Sequence, residues 1–298
     1  MIFDIQNPKP GMYDDIPIHT YHRVMTDIVS NSYLGKLNDC PAKAKVLDKE
    51  TDSLMFGRAL HKWILENDRF LEEFFPLPEK LNMRTNAGKE AMAKVEAENI
   101  GKQIVHVEDM QILRDMRDAI MSNGRVAALL TGGKREVTII WQDEETGIWC
   151  KTRPDLVPDI VNAVALDLKS TKSAARHAFQ TAIVRYGYDR QGAMVMHGLT
   201  EVTGLPYDKE GIFADIAVET EVPYRTEVYP LDDQFLKRGF SEFRRLLRIE
   251  KHCREQKLWP NYTPATLLDL RQASFEMMLM PGYADPEKQP WELQEVEG

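Results

Sequence analysis

The sequence predicts an α/β or α+β fold built on a mixed sheet flanked by helices, and three observations carry that expectation. The apolar period is helical up to about residue 130, alternates over 136–170, and then mixes strands with helices. Hydrophobic residues make up 43% and charged residues 29% of 298, ordinary globular usage that excludes a disordered or fibrous chain. No internal repeat, low-complexity tract or Pro/Gly/Ser linker divides the chain. One folded unit of this length buries roughly three quarters of the surface its unfolded chain exposes.

Taken in order, residues 1–28 read as an irregular N-terminal arm carrying Pro8, Pro10 and Pro17 with no sustained period. Ser30-Asn31-Ser32 supplies caps for a short helix through Leu37. Ser53–Glu66 is helical, with Leu54, Leu60, Trp63 and Ile64 recurring at helix spacing. Gly88–Asn99 and Glu108–Ser122 follow as helices, the second closed by Asn123-Gly124. Glu136–Gln142 and Gly147–Pro154 flank the turn-like Asp143–Thr146, a hairpin signature, and Ala163–Ser170 adds a third strand to make a meander. Helices near Ser173–Arg185 and Asp189–Thr203, strands at Gly211–Val218 and Thr226–Tyr229, and a helix over Asp232–Gln256 complete the domain, 29–264; residues 265–298 form a tail.

Charge and cysteine usage narrow the chemistry. Thirty-eight basic against 47 acidic residues leave a net charge of −9, which argues against a surface that grips polyphosphate everywhere but leaves room for a local basic face. Cys40, Cys150 and Cys253 are far apart and odd in number, which excludes a disulfide framework or a CxxC metal cage and fits a reducing cytoplasm. The N-terminus shows no signal-peptide pattern, and no stretch approaches the ~18–20 apolar residues of a membrane helix. A cytoplasmic protein is expected.

The third strand holds the informative residues. Val164, Leu166 and Leu168 share one face and suit a core, whereas Asp167 and Lys169 share the other, about 6.5–7 Å apart. A carboxylate there can hold a hard divalent cation while the amine orients a water. Asp155, following Arg153-Pro154, lands near Asp167 if the two strands pair, and Glu136 adds a third acid at the same edge. A bare acid-x-Lys triplet means little by itself. Glu255-Gln256-Lys257 fits it equally and reads as a solvated helix face.

Five ordered matches add context: GRALH (Gly57–His61), Glu136 in KREVTIIW, RPD (Arg153–Asp155) with DLKST (Asp167–Thr171), YDRQ (Tyr188–Gln191), and WPNY (Trp259–Tyr262). This pattern, over about Ser30 to Tyr262, resembles the PD-(D/E)xK nuclease superfamily, in particular its RecE-type and RecB-type exonuclease branch. The resemblance implies a restriction-endonuclease-like core. It also implies that Asp155 and Asp167 ligate catalytic Mg2+ (Mn2+ substituting) with the Leu168 carbonyl, and that His61 is a helix-borne ligand. Lys169 would position or activate the attacking water, and Glu136 would support the metal site. Gln191, Tyr188, Arg153 and Thr171 would meet DNA. Gly57, one turn before His61, would allow close helix–strand approach. Val195 stands where this branch often has Tyr, four residues after Gln191, so an aromatic DNA contact is not expected there. No cysteine cluster for an Fe-S centre and no P-loop GxxxxGK[ST] for a nucleotide is found.

The implied function is a Mg2+-dependent exonuclease of double-strand DNA ends, 5′ to 3′, leaving a 3′ overhang for a single-strand annealing protein in DNA recombination. Its source would be bacterial or phage, and it would form a homo-oligomeric ring such as a tetramer. Two alternatives stay open: a structure-specific endonuclease using the same site, and an inactive DNA-end-binding scaffold. A stripe of Arg244, Arg248 and Lys251 on the last helix is a candidate phosphate-facing surface.

Overall fold

The computed structural model describes residues 3–47, 51–158 and 164–261. The arm is more ordered than its prolines suggest: Gly11–Tyr13 forms strand β1 and Thr20–Val24 a π-helical turn. Helix α1 (Asn31–Asp39) starts where expected, with the Ser30 hydroxyl accepting from the Tyr33 N–H, and α2 (Pro41–Ala44) follows. Helix α3 (Asp52–Leu65) is capped by Thr51; Leu60 is buried but Leu54 is exposed, on the turn the core does not reach. Short α4 (Phe70–Glu73) leads into β2 (Phe74–Pro76). Helix α5 (Asn86–Glu98) then precedes β3 (Gln103–Val105), which pairs with β2 in parallel. Helix α6 (Val107–Ser122) does not end on a left-handed glycine. Asn123 instead caps a further helix, α7 (Gly124–Leu129), through its side chain.

The strands then come in quick succession: β4 (Lys134–Arg135), β5 (Thr138–Gln142), β6 (Trp149–Thr152), β7 (Leu156–Val157) and β8 (Val164–Thr171). Helices α8 (Arg176–Tyr186), α9 (Tyr188–Thr203) and α10 (Tyr207–Glu210) precede β9 (Ile212–Glu219), β10 (Thr226–Pro230) and α11 (Asp233–Gln256). Strands β5 and β6 form the expected antiparallel hairpin, with β1 on the outer edge of β5. The expected meander does not form, because β8 belongs to a different sheet, ordered β10-β9-β8-β7-β4. Pro154 has no N–H to continue the ladder, so the chain leaves the hairpin and restarts as β7, which pairs antiparallel with β8 at Leu156 and Leu166. Strand β8 runs parallel to β9 over its whole length, so the five-stranded sheet is mixed.

Alternation along β8 and β9 splits the core in two. Leu166, Leu168, Ala214, Ile216 and Val218 pack with residues of α3, α6 and α7, while Ala165, Phe213 and Ala217 pack with α9 and α11. Asp167, Lys169 and Asp215 therefore face the α9 side. Gly239 of α11 touches the start of α9, where a Cβ would come within 2.2 Å of the Asp189 carbonyl oxygen. That contact locks the helix carrying Tyr188 and Gln191 against the sheet. A third apolar cluster, including Tyr13, Tyr21, Met25 and Ile140, fastens the arm to the hairpin. Among the described residues no helix is long and apolar enough to cross a membrane.

Candidate active site

Lys169 and Asp167, neighbours on one face of β8, form an ion pair buried against α9. The Lys169 ammonium donates to Gln191 Oε1 at 2.8 Å, and Gln191 Nε2 donates to Asp167 Oδ1 at 2.6 Å, closing a triangle of three side chains. The Tyr188 ring lies 4.5 Å from Lys169 Nζ. Gly187, at φ 68°, makes the left-handed turn between α8 and α9 that starts α9 at Tyr188. Tyr188 and Gln191, three apart, then share one helix face over β8.

A second group meets at the neighbouring edge. His61, half-buried on α3, approaches Asp155 through Nδ1···Oδ1 at 3.0 Å. The other oxygen of Asp155 accepts the Leu168 N–H, which ties β7 to β8. Glu136 lies between β4 and β5 rather than opening a strand. Its left-handed φ of 52° breaks the ladder, and its N–H donates to the Asp155 carbonyl at 3.2 Å. His61, Glu136 and Asp155 each offer one ligand atom within 4.8 Å of the others.

One imidazole nitrogen and two carboxylates suit a divalent cation that takes mixed N and O ligands, Mn2+ or Mg2+ among them. The electrostatics support that fit. Burial, and then the charge of Asp155, pushes Glu136 up to about 8 and Asp167 up to about 6. Burial would lower His61, but the charge and hydrogen bond of Asp155, with Asp167 and Glu136 behind it, carry it up to about 9. Without a cation the group therefore keeps a proton on Glu136 and on His61 at neutral pH, and a divalent ion would take the place of those protons.

Of the residues anticipated from sequence, the fold brings together His61, Glu136, Asp155, Asp167, Lys169, Tyr188 and Gln191. Asp167 turns toward Lys169 and Gln191 and is not part of the ligand-spaced group, and the Leu168 N–H donates to Asp155. Two more of these residues have partners within the fold, and Gly57 departs from expectation. Arg153 faces the arm: Nε donates to Thr138 Oγ1 at 2.8 Å, Nη2 donates to the Ile16 carbonyl, and the guanidinium sits 4.8 Å from the Tyr21 ring. These internal partners occupy the fork that a phosphate would need. Thr171 closes β8 through a hydroxyl turn with Ser173, accepting its N–H at 3.3 Å. A Cβ on Gly57 would meet nothing within 4 Å, so no close approach requires glycine there. Tyr262, last residue of the WPNY match, lies outside the described residues.

Sequence reasoning missed Asp215. It lies in register with Asp167 on the adjacent parallel strand, is fully buried, and neither carboxylate oxygen has a hydrogen-bond partner among the described residues. Burial pushes it up to about 8, although Lys169 opposes the rise. The signal was present: one acid in the apolar run Ile212–Val218, where a core strand has no use for a charge.

The fold is similar to the crystal structure of a "putative exonuclease" from Eubacterium rectale, with a TM-score of 0.54 and 14% identity over 85% of this chain and 96% of that one. No curated protein matches the sequence. The family model of a PDDEXK-like domain of unknown function, DUF3799, matches residues 30–266. That span takes in every residue of both clusters, and the chain belongs to this PDDEXK-like family.

Proposed function

We propose that this protein is a Mg2+-dependent DNA exonuclease that hydrolyses phosphodiester bonds from double-strand ends. The observation that carries the reading is the ligand-spaced group of His61, Glu136 and Asp155 beside the Asp167–Lys169–Gln191 triangle. His61, Glu136 and Asp155 would hold the cation, with Asp167 on the adjacent strand paired to Lys169. When bound, the cation polarises the phosphoryl oxygens and lowers the pKa of a coordinated water. Lys169, kept protonated by Asp167, orients the attacking water and stabilises the charge that develops on the phosphorane oxygens. Gln191 holds Asp167 and Lys169 in register, and Tyr188 walls the ammonium from bulk water.

The resemblance of its motifs to the RecE-type branch extends this proposal to digestion from 5′ ends that leaves a 3′ overhang for a strand-annealing partner, in the cytoplasm of a bacterium or phage-infected cell. No ATP-driven motor is evident in the sequence, so a homo-oligomeric ring enclosing DNA would supply processivity. The test is digestion of 5′- and 3′-labelled linear duplex beside a closed circle, with Mg2+ or EDTA, for wild type and Lys169→Ala. Metal-dependent loss of linear DNA alone, absent in the variant, is expected. Nicking of the circle would reassign the site to an endonuclease, and binding without cleavage would make the protein a scaffold.

A further inference from the structure

We propose that the outer face of α8, with Lys172 just before it and Tyr186 at its end, is the surface that receives the DNA strand leading to Lys169. This inference rests on the nuclease reading and gives that site its substrate track. The basic stripe on α11 cannot serve, because its arginines are already engaged. Arg244 pairs with Asp143 and Glu145, Arg248 with Glu145, Arg238 with Asp189, Arg245 with Glu242, and Arg254 with Glu250.

Helix α8 is the opposite case. Its eleven residues include no acid. Lys172, Arg176 and Arg185 are exposed and have no ion pair among the described residues. Phe179 and Ile183 anchor the inner face of the helix in the core, which fixes the outer face in place. In a chain of net charge −9, an acid-free helix is a local positive feature complementary to phosphate. An open groove runs along it, lined by His177, Gln180, Thr181, Val184, Arg185 and Phe235.

The position of this face ties it to the chemistry. Helix α8 begins just beyond Thr171 at the end of β8 and ends beside the site. The Tyr186 ring is 58% exposed and lies 5.7 Å from that of Tyr188, which in turn lies 4.5 Å from Lys169 Nζ. The Arg185 guanidinium is 5.8 Å from the Tyr186 ring. An exposed aromatic next to a free guanidinium, two rings from the reactive amine, suits a nucleobase stacked beside a held phosphate.

The test measures binding of a fluorescein-labelled duplex with a single-stranded end, in EDTA, as a function of salt. Lys172→Ala/Arg176→Ala/Arg185→Ala should lower the slope of log affinity against log salt by about 2–3, since each phosphate contact contributes about 0.9. Lys172→Arg/Arg176→Lys/Arg185→Lys should keep it, which separates charge from folding. Tyr186→Ala should weaken binding of the single-stranded end about tenfold, and Tyr186→Trp should not. An unchanged slope in the alanine variant, with wild type still cleaving DNA in Mg2+, overturns the inference and leaves the nuclease reading standing. A reduced slope with no cleavage by wild type supports the surface and overturns the nuclease. Failure of wild type to bind DNA overturns both.

Discussion

Gln191 reaches from α9 to β8 and donates to Asp167 at 2.6 Å, while its carbonyl oxygen accepts from Lys169 at 2.8 Å. One amide thus holds the acid and the amine that the chemistry needs side by side, without adding charge of its own. Gln191→Ala should lower DNA cleavage by about 10–100-fold, the usual effect of removing a group that orients a catalytic partner. Cation binding should persist. Single-turnover rates with calorimetric Mn2+ titration check both, and a loss of cation affinity equal to the loss of rate would contradict the assignment.

Buried acids without a cation repel one another, and this has a consequence for stability. Glu136→Gln should raise the melting temperature of the metal-free protein at neutral pH, because burial and Asp155 keep the folded Glu136 carboxyl protonated while the unfolded chain ionises it, a proton uptake that Gln does not require. The same change should abolish the stabilisation that wild type gains from Mg2+, which amounts to about 2.7 kcal/mol at a hundredfold excess over the dissociation constant. Thermal melts with and without Mg2+ read both effects. A variant less stable than wild type in EDTA would contradict the account.

The arginines of α11 serve the fold. Arg244 binds buried Asp143 and the more exposed Glu145 at the β5–β6 turn, and Arg248 donates to Glu145 at 2.6 Å. The Arg248 hydrogen bond is the main force holding Glu145 down at about 2. Arg244→Ala leaves Asp143 buried without its cation and should cost roughly 3 kcal/mol in urea unfolding. The salt dependence of DNA binding should not change. A variant of wild-type stability would show that the pair contributes little.

Lys151 supplies a pH signature of its own. Its ammonium donates to the carbonyls of Tyr21 and Met25, and burial, with Arg153 adding to it, pulls it down to about 7. Below that value it is protonated whether folded or not, and folding bears the full cost of burying the charge. Between about 7 and the unfolded value near 10.4 the unfolded chain binds more protons, so this group makes stability rise with pH. The stability difference between wild type and Lys151→Met should therefore grow in favour of wild type across that window in chemical denaturation. A difference flat with pH would contradict the buried-amine reading.

Much of this was legible in the sequence because alternation on β8 separates Leu166 and Leu168 from Asp167 and Lys169 whatever the neighbouring strands are. Ser30 announced its helix because capping is local. What could not be read were relations between distant segments. Pro154 ends β6, yet nothing in the local pattern says that a two-residue strand will then bring Asp155 to β8. Arg153 was expected to meet DNA, and nothing local says that Tyr21 and the Ile16 carbonyl of the arm would engage it. Arg244, Arg248 and Lys251 share one helical stripe in sequence, and only the fold brings Asp143 and Glu145 against its arginines. Asp215 was passed over because a single acid in an apolar strand has no motif, only a burial cost.

The central claim is that His61, Glu136 and Asp155, drawn from three separated segments, form one cation site beside Lys169. The most direct measurement is an anomalous difference map from crystals grown with Mn2+, recorded at the manganese edge. A strong peak within bonding distance of all three side chains is the predicted result. A map with no peak there, or with manganese held elsewhere on the chain, would contradict the claim.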